Sequence, residues 1–283
     1  MTLTKRSFFA LSLGSLGSLL AGCNTLSLFN RFTPKDSGVR KVAHDIAFGD
    51  DPRQRYDIYA PFGKTGLPML VFFYGGGWNS GSKNDYAWMG HALASMGFVV
   101  AIADYRLVPQ VLYPAFLEDN AAAVKHVLAH AADYGGDPTR LGTIGQSAGG
   151  YAAVMMALDP RYLPQGTLKA CVGIAGPYDF YPFDVPASID TFSYWPTPEE
   201  TQPITYARKL ATKFLLLQSR ADTVVGLHNA VNLEKKLREA GTDVTLKLYD
   251  GLSHQDTAAV YAVPFRNKDT LFTDTKAFLA RAL

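Results

Sequence analysis

The pentapeptide Gly145-Gln146-Ser147-Ala148-Gly149 constrains this chain more than any other stretch. A short apolar run, Arg140 to Ile144, leads into it, and Gly150 to Leu158 follow with the composition of a helix. Strand, tight turn and helix together are the context of a G-x-S-x-G elbow. The turn is strained, and side chains at its two outer positions would collide with the neighbouring strand and helix, which calls for Gly145 and Gly149. Ser147 is thereby presented at a helix N-terminus, where backbone N–H groups and the helix dipole favour developing negative charge. Taken alone, the pentapeptide also reads as an ordinary strand-to-helix turn that contains a serine. Its partners decide between the two.

Segments of strand and helix character alternate along the rest of the chain. Strands are predicted at Val42–Phe48, Arg55–Tyr59, Pro68–Tyr74, Phe98–Ala103, Leu141–Ile144, Lys169–Ala175, Lys213–Gln218 and Val244–Tyr249. The later ones are continuous apolar runs, as expected of parallel strands covered on both faces. Helices are predicted around Tyr86–Ser95, Pro114–Tyr134, Ala148–Leu158, His228–Ala240 and Asp269–Ala282. Pro114 suits the first position of its helix and Gly135-Gly136 its end. The alternation predicts an α/β fold with a mostly parallel central sheet flanked by helices, as one domain over residues 40–283. The rhythm breaks between Gly176 and Ala207, a proline-punctuated stretch rich in aromatics, among them Tyr178, Phe180, Tyr181, Phe183, Phe192, Tyr194 and Trp195. An irregular insertion of that length is expected to form a small cap, about 176–207, with its aromatics lining an apolar pocket.

A serine nucleophile needs a base for its proton, a carboxylate to orient that base, and donors for an oxyanion. His228 and His254 are the histidines beyond Ser147. His228 falls on an amphipathic helix and reads as a surface residue. His254 lies in a loop directly after the last strand, where a base can reach the elbow. Asp222 stands just past an apolar strand, where catalytic groups of open parallel sheets sit. Asp250 is the second choice, so near His254 that its loop would have to fold back. Tyr74-Gly75-Gly76-Gly77-Trp78 follows another strand. Its glycines let backbone N–H groups approach a substrate oxygen, so Gly76, Gly77 and Ala148 are expected to form the oxyanion hole. A phosphate-cradling loop is excluded, because no G-x-G-x-x-G spacing and no P-loop Lys-Ser/Thr occur.

Together these motifs resemble the α/β-hydrolase superfamily, in particular the bacterial serine carboxylesterases similar to hormone-sensitive lipase. The resemblance runs from about residue 55 to the C-terminus. It rests on Tyr74-Gly75-Gly76-Gly77-Trp78, Asp104-Tyr105-Arg106-Leu107-Val108-Pro109, Tyr134-Gly135-Gly136-Asp137-Pro138, the elbow with Gly150, Asp222 and His254. It implies hydrolysis of small or medium carboxylic esters through an acyl-enzyme on a Ser147–His254–Asp222 triad, without a cofactor. An amide or peptide hydrolase on the same triad is the alternative, and a non-catalytic binding protein a more distant one. Family members usually carry His where Tyr74 stands. That His supports the loop, so Tyr74 is expected to alter the pocket rim and leave the chemistry intact. Asp104 and Arg106 read as loop-stabilising residues.

The N-terminus carries a different message. Lys5-Arg6 and the apolar run Ser7 to Leu20 form a signal segment, residues 1–22, too short for a comfortable membrane span. Leu20-Ala21-Gly22-Cys23 resembles the bacterial lipobox, in which the cysteine is lipidated and becomes the first mature residue. Asn24 rather than Asp after it implies sorting to the outer membrane. Thr4-Lys5-Arg6-Ser7-Phe8-Phe9 is also similar to a twin-arginine signal with Lys for the first Arg, which leaves the export route open. Residues 23–39 read as a linker between that anchor and the domain. The net charge of +2 is accounted for by Lys5 and Arg6, so nothing points to nucleic acid. With Cys23 lipidated, Cys171 is left as a buried small hydrophobe. No Cys/His cluster has zinc spacing, and no metal is expected.

Overall fold

The computed structural model describes residues 19–283. Eight strands form one sheet: β1 (Val39–Ala47), β2 (Arg55–Pro61), β3 (Leu67–Phe73), β4 (Val99–Ala103), β5 (Gly136–Gln146), β6 (Ala170–Ile174), β7 (Lys213–Ser219) and β8 (Val244–Tyr249). Their order is β1-β2-β4-β3-β5-β6-β7-β8. β1 pairs antiparallel with β2, and β2 antiparallel with β4, whereas every pairing from β4 to β8 is parallel. The short β1–β2 connection permits only a hairpin, and the parallel pairs need crossover segments on the sheet faces.

Burial follows the residue pattern. β4 and β6 are buried at every position, as their uninterrupted apolar sequences require. At the edges the pattern alternates, and in β8 Thr245 and Lys247 face solvent between half-buried neighbours. Edge strand β1 is charged and interrupted by register shifts around Ala43, which guards it against pairing with another chain. Beneath it the fully buried Asp57 is held by Lys41, by Lys83 at 2.9 Å, by His44 at 3.0 Å and by the Asp45 amide at 3.0 Å. A carboxylate so deep is tolerable only with partners of that kind.

The helices are α1 (Leu19–Phe32), α2 (Ala87–Ser95), α3 (Ala115–Ala129), α4 (Ala148–Leu158), α5 (Pro186–Phe192), α6 (His228–Glu239), α7 (Asp256–Ala259) and α8 (Leu271–Ala282). Every residue of α4 except Ala157 is buried, as its nearly all-apolar sequence demands. The sequence-predicted helix 114–134 is divided: α3 ends at Ala129, and a 3-10 turn over Ala131–Tyr134 closes on Gly135 at φ +74°.

Residues 24–32, expected as an irregular linker, continue the helix α1 instead. Its stabilisation is tertiary. The Phe29 ring lies 5.3 Å from that of Trp88, and Asn30 donates to the Asn84 carbonyl at 2.8 Å while accepting from the Trp88 amide. Such docking holds a helix that a short polar sequence would not hold alone. Most of the expected signal segment lies outside the described residues. Among the described residues no helix is long and apolar enough to cross a membrane.

The segment 176–207 contains α5 and two 3-10 turns. Side chains of the main body fasten it to the sheet. Tyr151 donates to the Thr201 carbonyl and Tyr113 to the Glu200 carbonyl, each at 2.9 Å. Asn229 accepts from the amides of Tyr178 and Asp179, both at 2.8 Å. Irregular backbone needs such outside partners because it has no ladder of its own.

Candidate active site

Sheet order determines where the chemistry gathers. Strand direction of growth reverses at β3, whose neighbours are β4 on one side and β5 on the other. Phe73 at the end of β3 is in register with Gly145 of β5. The glycine loop that follows one strand is therefore beside the elbow that follows the other, the place where open α/β sheets bind ligands.

Backbone contact shapes the elbow. A Cβ on Gly149 would lie 2.0 Å from the Phe73 carbonyl oxygen, and one on Gly145 would lie 2.0 Å from the Gly149 oxygen. Both positions are closed to any other residue, which is the collision anticipated from the sequence. Ser147 has φ +58°, a strained conformation for a residue with a side chain, and its amide is tied to the Ile174 carbonyl at 2.9 Å. The residue is half-buried.

His254 bridges Ser147 and Asp222. Its Nε2 lies 2.9 Å from Ser147 Oγ and its Nδ1 lies 2.8 Å from Asp222 Oδ2. An ionised carboxylate can only accept, so Nδ1 carries the ring proton and Nε2 presents its lone pair to the serine hydroxyl. Asp222 sits in the turn after β7, where Oδ1 accepts from the amides of Val224 at 2.8 Å and Val225 at 3.0 Å. Burial pushes its carboxyl pKa up, but the hydrogen bond and charge of His254 and those two amides outweigh burial and hold it below the ordinary carboxylate range. Asp250, the second choice, is not in this network. Its side chain is 84% exposed and pairs with Arg220 at 2.7 Å, whereas that of Asp222 is fully buried. His228 is exposed on α6 and faces the Asp179 carbonyl.

The glycine loop arches over the elbow. A Cβ on Gly75 would stand 3.1 Å from the Cβ of Ser147. Gly76 and Gly77 have φ of +141° and +55°, and the loop closes on itself through bonds from Asn79 and Ser80 to the Gly76 carbonyl. Gly75 thus packs against Ser147, and Gly76 and Gly77 follow it in the same loop, while Ala148 directly follows Ser147 at the start of α4.

Tyr74 is not on the rim of the pocket. It is fully buried beneath the loop, stacked between Tyr86 and Tyr105, and donates to Asp104 at 2.7 Å while accepting from Arg53 at 3.0 Å. Burial pushes its phenol pKa well above the ordinary value, which keeps it a donor. Asp104 also accepts from the Lys83 amide, and Arg106 clasps Asp119 through Nε at 2.8 Å and through its terminal nitrogen at 2.7 Å. These are the loop-stabilising duties anticipated for Asp104 and Arg106.

Two glutamines were missed. Gln218 Nε2 donates to Asp222 Oδ2 at 3.2 Å and to the Val225 carbonyl at 3.1 Å, fixing the carboxylate's loop. Gln146 Nε2 lies 3.3 Å from the His254 carbonyl and from its Nε2, joining the elbow to the histidine loop. The available signal for Gln218 was a glutamine directly after the apolar run Phe214 to Leu217, and for Gln146 its place beside the elbow serine. Elsewhere, a cavity of about 450 Å³ lined by Asp159, Arg161, Glu200, Tyr206 and Arg208 contains none of these groups.

A mostly parallel sheet with a serine elbow after β5 and a His–Asp pair beyond β7 and β8 defines an α/β-hydrolase. The model of the BD-FAE family matches residues 56–237, more than half of the chain, and the chain belongs to that family. Isoprenylcysteine alpha-carbonyl methylesterase of Arabidopsis thaliana is 28% identical over 265 residues, covering 83% of this chain and 61% of that protein. Carboxylesterase NlhH of Mycobacterium tuberculosis is 38% identical over 120 residues, 42% of this chain and 36% of its own length. The chain thus spans less than two thirds of the curated relatives it matches. Among solved structures, a thermostable carboxylesterase cloned from a metagenomic library superposes with a TM-score of 0.77 at 20% identity, covering 92% of this chain and 95% of that one. Esterase B of Lactobacillus rhamnosis gives 0.78 at 17%, covering 92% of both. At such identities the likeness is one of fold.

Proposed function

We propose that the protein is a serine carboxylesterase that cleaves small and medium carboxylic esters through an acyl-enzyme. The carrying observation is His254 in hydrogen-bond contact with both Ser147 Oγ and Asp222 Oδ2. Ser147 attacks the ester carbonyl as His254 Nε2 takes its proton, and Asp222 holds the tautomer and stabilises the imidazolium. The amides of Gly76, Gly77 and Ala148 receive the oxyanion. His254 then protonates the leaving alkoxide, and in the second half-reaction it activates water to release the acid. Named esterases among the relatives, one of them a methylesterase, support an ester rather than an amide bond. No step calls for a cofactor or a metal.

The size of the substrate is read from the cap. A short segment pinned by Tyr113, Tyr151 and Asn229 supports a small substrate rather than a long-chain lipid. With p-nitrophenyl esters from acetate to palmitate, kcat/KM is expected to peak at acyl chains of about two to six carbons and to fall steeply beyond them. A peak at the long-chain end, or activation at an oil–water interface, would identify a lipase instead.

The proposed setting is a bacterial envelope, with the chain exported and lipid-anchored through Cys23 in the outer membrane. The lipobox-like Leu20-Ala21-Gly22-Cys23 supports it. Cys23→Ser is expected to move the esterase from the membrane to the soluble fraction, because the acyl chains supply the binding. A mature protein whose unmodified N-terminus lies elsewhere, read by mass spectrometry, would remove the anchor from the account.

A further inference from the structure

Gln146 stands between the three loops that carry the chemistry. It precedes Ser147 in the elbow and is buried. Its Nε2 lies 3.3 Å from the His254 carbonyl oxygen, 3.4 Å from Thr257 Oγ1 and 3.3 Å from His254 Nε2. At the other end of the amide, a Cβ on Gly75 would come within 2.6 Å of Oε1. The surroundings dictate which way the amide faces. The His254 carbonyl can only accept, and Thr257 already donates to it at 2.6 Å, so the Thr257 hydroxyl offers Gln146 a lone pair. Turned over, the amide would set its oxygen against that carbonyl oxygen. With Nδ1 protonated toward Asp222, Nε2 carries a lone pair, and both the Gln146 amide and the Ser147 hydroxyl donate toward it.

We propose that Gln146 is a positioning residue that favours the neutral imidazole of His254 and thereby sets how far into the acid range the enzyme works. The inference rests on the esterase reading above and adds the group that tunes its base. A donor on the lone pair of Nε2 stabilises the neutral ring and opposes the imidazolium, which carries a proton in that place. Asp222 acts in the opposite sense from Nδ1, since a carboxylate favours the charged ring. The other charged groups about the histidine loop are engaged with one another. Asp256 of α7 accepts from Ser253 and pairs with Lys268 at 2.7 Å, and Arg220 pairs with Asp250 at 2.7 Å. The balance on the ring is therefore between Asp222 and Gln146. The same amide makes the imidazolium, once formed, readier to pass its proton to the leaving alkoxide.

The test compares Gln146→Met and Gln146→Glu with the parent enzyme. The pH profile of kcat/KM for p-nitrophenyl butyrate is recorded over about pH 5 to 9, because its acid limb reports the free enzyme's base. The His254 ring is titrated in parallel by NMR, its signal assigned by its absence from His254→Gln. Methionine keeps the length of the side chain and lacks the amide donor. In Gln146→Met the acid limb and the His254 midpoint are both expected to move up by about half to one pH unit, the worth of one hydrogen bond. In Gln146→Glu both are expected to move up further, because a carboxylate beside Nε2 favours the charged ring. That variant carries the test if the methionine one does not fold. A role confined to bracing the histidine loop would lower kcat or the melting temperature and leave both midpoints in place. Folded variants with the parent's midpoints, or a downward shift, would overturn the proposal. A parent enzyme that cleaves no ester would count against the esterase reading, whereas the NMR midpoint bears on Gln146 alone.

Discussion

Ser147→Ala is expected to lower ester turnover by about four to six orders of magnitude, the loss that follows when the nucleophile of such a triad is removed. Its melting transition is expected to stay within about 0.5 kcal/mol of the parent's, the range of substitutions that touch no packing. The side chain contributes the bond to His254 Nε2, and Ala at φ +58° carries the same Cβ strain as Ser. A folded variant that retains more than about a tenth of the parent's rate, under ~1.4 kcal/mol of barrier, would show that another group attacks.

Asp222→Asn is expected to cost about 10⁴-fold in kcat with KM little changed, because the fault is in the base and not in substrate binding. The amide is isosteric, so the two backbone donors of Val224 and Val225 still find an oxygen. What changes is the partner of Nδ1. An amide NH₂ facing the ring favours the tautomer protonated on Nε2, and that nitrogen then cannot take the serine proton. A linkage effect accompanies it. The folded-state pKa of Asp222 lies below its unfolded value, so its ionisation contributes stability above about pH 4, and that contribution is lost as pH falls through the depressed folded value. The stability gap between parent and Asp222→Asn should therefore narrow on acidification. Near-parental kcat in the Asn variant would remove Asp222 from the triad.

Much of this was legible in the sequence for a physical reason. The interior strand β7 opens into the apolar run Phe214 to Leu217 and the edge strand β8 alternates apolar and polar residues, so both begin where the sequence predicts, at Lys213 and Val244. The elbow and glycine loop were legible because tight backbone contact leaves no other residue tolerable at Gly145 and Gly149. Less visible was anything that depends on what a side chain meets across the fold. Helix α1 exists because Phe29 and Asn30 find Trp88 and Asn84, more than fifty positions away in the chain. The burial of Tyr74 is decided by Asp104 and Arg53, and no local pattern announces either partner. Likewise Asp222 and Asp250 both follow strands, and what separates them is that one carboxylate turns inward and the other pairs with Arg220 in solvent.

The central claim, that Ser147 is the attacking nucleophile, is tested most directly by covalent trapping. The protein is incubated with a p-nitrophenyl alkylphosphonate, and its intact mass and tryptic peptides are measured. One phosphonyl group per chain is expected, on the peptide spanning residues 141–161 at Ser147, with loss of activity in proportion to labelling and no labelling of Ser147→Ala. An adduct on any other residue, or full inactivation with Ser147 unmodified, would contradict the account.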